Sequence, residues 1–150
     1  MRSCQTADRT LRKLQSLLAI LRAGHWSHWT SHWQVKGNPY YGDHLLMERL
    51  YTGMVDEIDT LAEKIVAQYG PDSVDPICQA QAMEGFLELQ MNPDPIQRAL
   101  AVETYLLEEL ARVFKDLESY GTLSLGLNDF LAATANSHET YLYLLRQRTR

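Results

Sequence analysis

The chain is poor in the features that would set it apart from ordinary globular proteins. It has 2 cysteines among 150 residues, Cys4 and Cys78, and they form no CxxC. Two thiols so far apart read as reduced cytosolic residues rather than as a disulfide framework. No long apolar run is present: the first 20 residues, MRSCQTADRTLRKLQSLLAI, have no uninterrupted hydrophobic stretch and no clear small-residue cleavage site. That argues against secretion and against a membrane span, and predicts a cytoplasmic protein. Positive charge is not in excess either. Lys and Arg total 14 against 19 Asp and Glu, a formal net charge of −5, which excludes a strongly basic body that wraps nucleic acid. No internal repeat or low-complexity tract interrupts the chain, and its length and 45% hydrophobic content suit a single domain over 1–150.

What the chain does have is helical periodicity. Leu11, Leu14, Leu18 and Leu21 make an apolar stripe on a first helix, A, over about 7–33, with Thr6 as its expected N-cap. Gly37, Asn38 and Pro39 punctuate the turn that follows. Helix B is expected from about Tyr41 to Tyr69, with Leu46, Leu50, Met54, Ile58, Leu61 and Ile65 on one face and a stop at Gly70-Pro71. The connection from Pro71 to about Pro93 is long for a compact domain, and QAMEGFLELQ within it can hold only a short helix. Asp94-Pro95 then starts helix C, which carries Ile96, Leu106, Leu110 and Val113 to Tyr120-Gly121. Helix D runs from Ser124 or Leu127 to near the end, with Leu127, Leu131, Leu142 and Leu145 inward. The fold class is therefore all-α: a ferritin-like four-helix bundle with a long B-to-C crossover.

The chemistry gathers in HWQVKGNPYYGDHLLMERLYTGMVDEIDTLAE, from His32 to Glu63. It holds His32, His44, Glu48, Asp59 and Glu63. The last four sit on helix B within an arc of roughly 100°, at about 100° per residue. Yet the pair His44/Glu48 lies roughly 22 Å along the axis from Asp59/Glu63, at ~1.5 Å per residue. One chain cannot close both pairs on one ion.

Two chains can. If two copies of helix B pack antiparallel about a two-fold axis between residues 53 and 54, then 44 faces 63 and 48 faces 59. His44 and Glu48 of one copy then meet Asp59 and Glu63 of the other, twice per dimer, as an isologous interface requires. Thr52 and Val55 also face each other across that axis, and both are small enough for close approach. Read singly, each acidic pair is an ordinary solvated i,i+4 face; the joint symmetry of four residues with His32 points instead to a shared metal site. Inside the bundle no Glu-x-x-His motif is visible, because Thr60 follows Glu57, Leu106 follows Glu103, and Ala135 precedes His138 at that spacing. His138-Glu139 reads as structural.

HWxVKG at 32–37, His44 twelve residues beyond His32, Glu48, and DTLAEK at 59–64 together resemble the Dps family of mini-ferritins. The bundle order and the segment NDFLAATANSHETYLYLLR of helix D are similar to it as well, so the resemblance covers nearly the whole chain. One departure is Glu48, where the family more often has aspartate. The resemblance implies a hollow dodecamer built from two-fold dimers. It implies a ferroxidase that oxidises Fe(II), preferentially with hydrogen peroxide and otherwise with dioxygen, stores ferric mineral and protects against oxidative stress. It places a di-iron or mono-iron site at the dimer interface, with His32, His44 and Glu48 from one subunit and Asp59 and Glu63 from its mate. Glu63 with His32 would be the main iron ligands, Asp59 would ligate or bridge, and His44 with Glu48 would hold a second, weaker iron. Trp33 resembles the family tryptophan that supplies an electron beside the iron. Carboxylates with a few imidazoles suit iron better than magnesium or calcium.

Upstream, HWSHWTSHW sets His25, His28 and His32 at i, i+3, i+7 on one helix face. An accessory metal role for His25 and His28 competes with the plainer reading of hydrogen-bonded helix or core histidines. Trp26 and Trp29 read as packing residues. Asp129, with Asp116 and Glu118, is a candidate for steering iron into a pore, though each is more simply a solvated charge. The rival function is DNA binding through short basic ends, Arg2, Arg9, Arg12 and Lys13 at one and Arg146, Arg148 and Arg150 at the other. Those patches are modest, so DNA binding is expected to be weak or absent. A third reading is a shell protein that lacks the chemistry.

Overall fold

The computed structural model describes residues 3–150, so Arg2 lies outside the described residues. Its helices are α1 (Arg9–Gln34), α2 (Tyr40–Tyr69), α3 (Pro76–Leu89), α4 (Pro95–Tyr120) and α5 (Leu125–Thr149), with a 3-10 turn at Pro71–Val74. Helices A to D of the sequence correspond to α1, α2, α4 and α5. The start of α1 differs from expectation in its cap. Asp8, not Thr6, accepts the Leu11 N–H at 2.9 Å, and Thr6 Oγ1 instead accepts the N–H of Asp8. A carboxylate at this position gains from the helix dipole as well as from the hydrogen bond. The α2 helix ends where glycine was expected to end it: Gly70 has φ 88°, a backbone angle that residues with a Cβ rarely adopt.

Inter-helix contacts set the directions. Lys13 pairs with Asp116 and Ser31 with Arg98, so α1 and α4 are antiparallel. Asp43 pairs with Arg148 and Glu57 with His138, so α2 and α5 are antiparallel too. The turn at 35–39 reverses the chain between α1 and α2. Consequently α2 and α4 run parallel, and the chain between them must travel the length of the bundle. That requirement explains the long connection. It is filled by the 3-10 turn and α3, which lie along α1: Gln15 bonds the Ser73 carbonyl and receives a bond from Gln79, and Trp26 lines a groove with Met83 and Leu87. The α3 helix has 14 residues, longer than the sequence suggested. Its start, Asp75-Pro76, repeats the cap-and-proline signature of Asp94-Pro95, with Asp75 accepting from the N–H groups of Ile77 and Cys78.

The cysteines correct a sequence expectation. Cys4 and Cys78 are joined in a disulfide, across 74 residues of sequence, with Cα atoms 5.3 Å apart. Distance in sequence was a poor guide because the crossover brings α3 back beside the segment that precedes α1.

The apolar core falls into two parts. One is built from Leu14, Leu21, Met54, Leu61, Leu110 and Leu131 among others. The other gathers Val35, Met47, Leu50, Ile96, Ala99 and Leu145 around the α1–α2 turn. Each fully buried leucine side chain contributes about 1.5–3 kcal/mol. On α1, α4 and α5 a polar layer stands between the two parts in sequence position, at His28, Glu103 and His138, and on α2 it is joined by Glu57, just past Met54. Among the described residues no helix is long and apolar enough to cross a membrane.

Candidate metal centre

His32, near the C-terminal end of α1, and His44, in the first turns of α2, are brought together by the tight turn between them. Their rings stack with centroids 3.5 Å apart and planes 20° from parallel. His32 Nδ1 lies 2.7 Å from the His44 carbonyl, and His44 Nδ1 lies 2.8 Å from the His32 carbonyl. A carbonyl only accepts, so both Nδ1 atoms carry the proton and donate it. Both Nε2 atoms are then left with a free lone pair, the tautomer a metal requires. His32 is buried and His44 half-buried.

The acids of α2 are differently placed. Glu48, Asp59 and Glu63 are all exposed along an unbroken helix. Thr52 between them is exposed, and Val55 is 51% exposed, unusual for a valine at mid-helix. This is the face opposite the apolar stripe. Among the described residues no three His, Cys, Asp or Glu side chains are grouped to hold a metal within one chain. The structure therefore joins His32 to His44 and leaves Asp59 about 22 Å and Glu63 about 28 Å further along α2 from His44, at ~1.5 Å per residue.

Around the histidine pair lies a set of rings. Tyr40 stacks on His44 at 5.1 Å and Tyr51 meets His32 edge-on at 5.3 Å. Trp33 contacts Trp29 at 5.4 Å, and Trp29 stacks on Tyr51 at 5.5 Å. Tyr51 escaped the sequence reading, although it lies seven residues beyond His44, at the edge of the same helix face.

The two upstream histidines have separate fates. His25 is wedged between Trp29 and Tyr51, and burial, with the nearby His28, pulls its pKa below the usual value. His28 points into the bundle and is completely buried. Its Nε2–H donates to Glu103 Oε1 at 2.7 Å, so it is a core histidine. Glu103, also completely buried, accepts a second bond at 2.5 Å from His138 Nδ1, and His138 Nε2–H donates to Glu57 at 2.8 Å. Burial alone would keep His138 neutral, but hydrogen bonds and charge from Glu103 and Glu57 prevail and raise its pKa to about 9. Burial would likewise favour a protonated Glu103, and the bonds from His138 and His28 prevail there too, lowering its pKa. The layer thus holds an imidazolium between two carboxylates. It takes one residue from each of α1, α2, α4 and α5, which is why a search for paired residues on a single helix could not find it. His138 has both ring nitrogens bonded to these carboxylates.

Several of the other charges named from the sequence are engaged. Asp116 pairs with Lys13 at 3.0 Å, Arg9 lies over the Tyr120 ring at 4.0 Å, and Arg12 bonds the carbonyls of Thr6 and Ala7. Asp129 is exposed and lines a groove with Asp56, Glu57 and Lys64 between α2 and α5.

No protein-family model matches the chain, and no curated protein matches it in sequence. Solved structures do. DpsC from Streptomyces coelicolor is similar with a TM-score of 0.79 at 22% identity, over 94% of this chain and 83% of that one. Dps from Mycobacterium smegmatis gives 0.79 at 20% identity, over 93% and 84%. Dps from Vibrio cholerae, described as a member of a broad superfamily of ferritin-like diiron-carboxylate proteins, gives 0.74 at 18% identity, over 95% and 89%. The chain has the all-α, ferritin-like fold of the Dps proteins.

Proposed function

We propose that this protein is an iron-storage and detoxification mini-ferritin, a ferroxidase whose sites form between two copies of the chain. The observation that carries the reading is the reciprocal bonding of His32 and His44, which commits both Nδ1 atoms to backbone carbonyls and leaves the two Nε2 lone pairs for a metal. Neutral imidazole beside carboxylate is a donor set suited to Fe(II), the substrate. His32, with Glu63 of a second copy, holds the first iron; Asp59 of that copy ligates or bridges, and His44 with Glu48 holds a weaker second iron. Glu48 is one methylene longer than aspartate, so it reaches the iron with altered distance or denticity. Two Fe(II) ions supply one electron each to hydrogen peroxide, which with two protons leaves as two waters. Pairing the electrons avoids release of hydroxyl radical. Trp33 supplies an electron when only one iron is present. The dimers assemble into a dodecameric shell that stores the ferric product, in the cytoplasm.

Exposure of Glu48, Val55, Asp59 and Glu63 on one continuous α2 face supports the two-copy arrangement. Mixed dimers test it. One chain carries His32→Ala, His44→Ala and Glu48→Ala, the other Asp59→Ala and Glu63→Ala, and each alone is inactive in peroxide-driven iron oxidation. After unfolding and refolding together, half of the dimers are mixed and each has one intact site, so about one quarter of wild-type activity returns. No recovery would sink the shared site. Unchanged oxidation in Glu63→Ala alone would favour an inert shell.

DNA binding is weak or absent in this reading. Arg9, Arg12, Lys13 and Arg148 are each held by groups of the protein itself, which leaves little of the basic ends for phosphate contacts. A stable gel shift at physiological salt would overturn that part.

A further inference from the structure

Trp33, the residue that resembles the family's electron donor, makes its ring contact with Trp29 and not with the histidine pair. The rings that do touch His32 and His44 are Tyr51 and Tyr40. Between His32 and Trp33 the contacts are continuous: His32 to Tyr51 at 5.3 Å, Tyr51 to Trp29 at 5.5 Å with planes 24° apart, and Trp29 to Trp33 at 5.4 Å. All three distances fall within the roughly 4.5–7 Å range of aromatic contact. The chain also runs outward, from buried His32 through half-buried Tyr51 to Trp29 and Trp33, which are 43% and 63% exposed. Packing alone accounts for contact between neighbouring rings on α1. It does not account for a phenol inserted between the histidine pair and an exposed indole pair.

We propose that Tyr51 and Trp29 form a one-electron conduit from the histidine pair to the exposed edge at Trp33. The proposal rests on the ferroxidase reading above and extends it to residues that reading does not use. When a single Fe(II) meets hydrogen peroxide, the products are Fe(III), hydroxide and a hydroxyl radical. The radical takes the phenolic hydrogen of Tyr51, one electron and one proton, and becomes water, leaving a tyrosyl radical. Trp29 returns an electron and its indole proton to Tyr51 and becomes the neutral radical. Trp33 does the same for Trp29. At the exposed end a one-electron reductant in solution, such as ascorbate, gives a hydrogen atom to Trp33 and closes the sequence. The oxidising equivalent thus leaves the site without attacking His32 or His44.

Two variants test the conduit while keeping the rings packed: Tyr51→Phe, which removes the oxidisable hydroxyl, and Trp29→Phe, which breaks the indole pair. In metal-free protein, a soluble ruthenium photo-oxidant with persulfate generates tryptophan radicals by flash photolysis. In wild type the tryptophan radical equilibrates with a tyrosyl radical across the same contacts, and added ascorbate drains both together; Tyr51→Phe loses the tyrosyl part of the signal and Trp29→Phe slows its appearance severalfold. A tyrosyl signal of wild-type size and rate in both variants would overturn the proposal. In a second arm, limiting Fe(II) is mixed with excess peroxide in the assembled protein. Spin-trapped hydroxyl radical and oxidised His32 rise severalfold in both variants, while iron oxidation keeps its wild-type rate. Equal radical yields at that unchanged rate would also overturn it. Wild-type protein that oxidised no iron would defeat the ferroxidase reading instead, and the metal-free arm would still decide the conduit.

Discussion

The imidazoles of His32 and His44 lock each other by exchanging hydrogen bonds with backbone carbonyls, each Nδ1 donating to the carbonyl of the other residue. Neither ring can turn without breaking a bond of its own and unstacking its neighbour. His44→Phe keeps the stack but removes one Nε2 and one of the two bonds. Removing a ligand's orienting partner typically costs 10–100-fold in metal affinity, so a loss of about that size or more is expected for Co(II), used as an air-stable probe for Fe(II). Isothermal titration measures it, with circular dichroism as the folding control, and unchanged affinity would remove the pair from the site.

Val55 stands beside the proposed two-fold axis with half its surface bare. Val55→Asp adds a carboxylate to a face that already carries Glu48, Asp59 and Glu63, and in the dimer every such charge is met twice. Like charges at close quarters should split the dimer, and iron oxidation should fall in step with it. Analytical ultracentrifugation checks the assembly. A variant that remained fully assembled would move the interface away from this helix face.

The His138 imidazolium makes stability depend on pH at both ends. Its pKa is raised from 6.5 to about 9, so its contribution is complete below pH 6.5 and is lost as pH rises through about 9. The shift corresponds to stability on the order of 3 kcal/mol. Glu103 acts in the opposite sense: its pKa lies below 4.5, so its contribution is present above pH 4.5 and lost as pH falls through the lowered value. Urea midpoints should therefore plateau between 4.5 and 6.5 and fall on either side. His138→Gln should abolish the alkaline fall. If the variant and the wild type lost stability alike between pH 6.5 and 9, the imidazolium would not be its source.

Cys78→Ser opens a loop of 74 residues. In the chain-entropy account closure of a loop that long is worth roughly 4 kcal/mol. The urea midpoint of wild type should drop toward that of the variant when dithiothreitol is added, whereas the variant should not respond. Iron oxidation should survive, since α3 begins alongside Gln15, roughly 25 Å along α1 from His32 at ~1.5 Å per residue. Loss of oxidation without loss of assembly would tie the bridge to the site.

Sequence and structure agree best where periodicity decides. Leu14, Leu50, Leu106 and Leu145 are buried because each falls on an apolar stripe at 3.6-residue spacing, and no long-range information was needed to say so. Asp94-Pro95 and Gly70-Pro71 marked helix ends for the same reason: a missing N–H and a positive φ are local facts. His44, Glu48, Asp59 and Glu63 could be placed on one face, and separated by too great a length for one ion, from helix geometry alone.

What only the tertiary structure decided depends on contacts between distant segments. Cys4 and Cys78 meet because α2 and α4 are parallel, and the crossover this imposes lays α3 beside the start of the chain. His28, Glu57, Glu103 and His138 come one from each helix, so no spacing within a helix announces the charged layer they make. The tautomer of His32 and His44 likewise depends on two carbonyls twelve residues apart, across a turn. Sequence alone determined the four long helices and their faces, and named the candidate residues that would bind a metal. The packing determined which donors are free to do so, because a proton's position is set by the partner a side chain meets and not by its place in the chain.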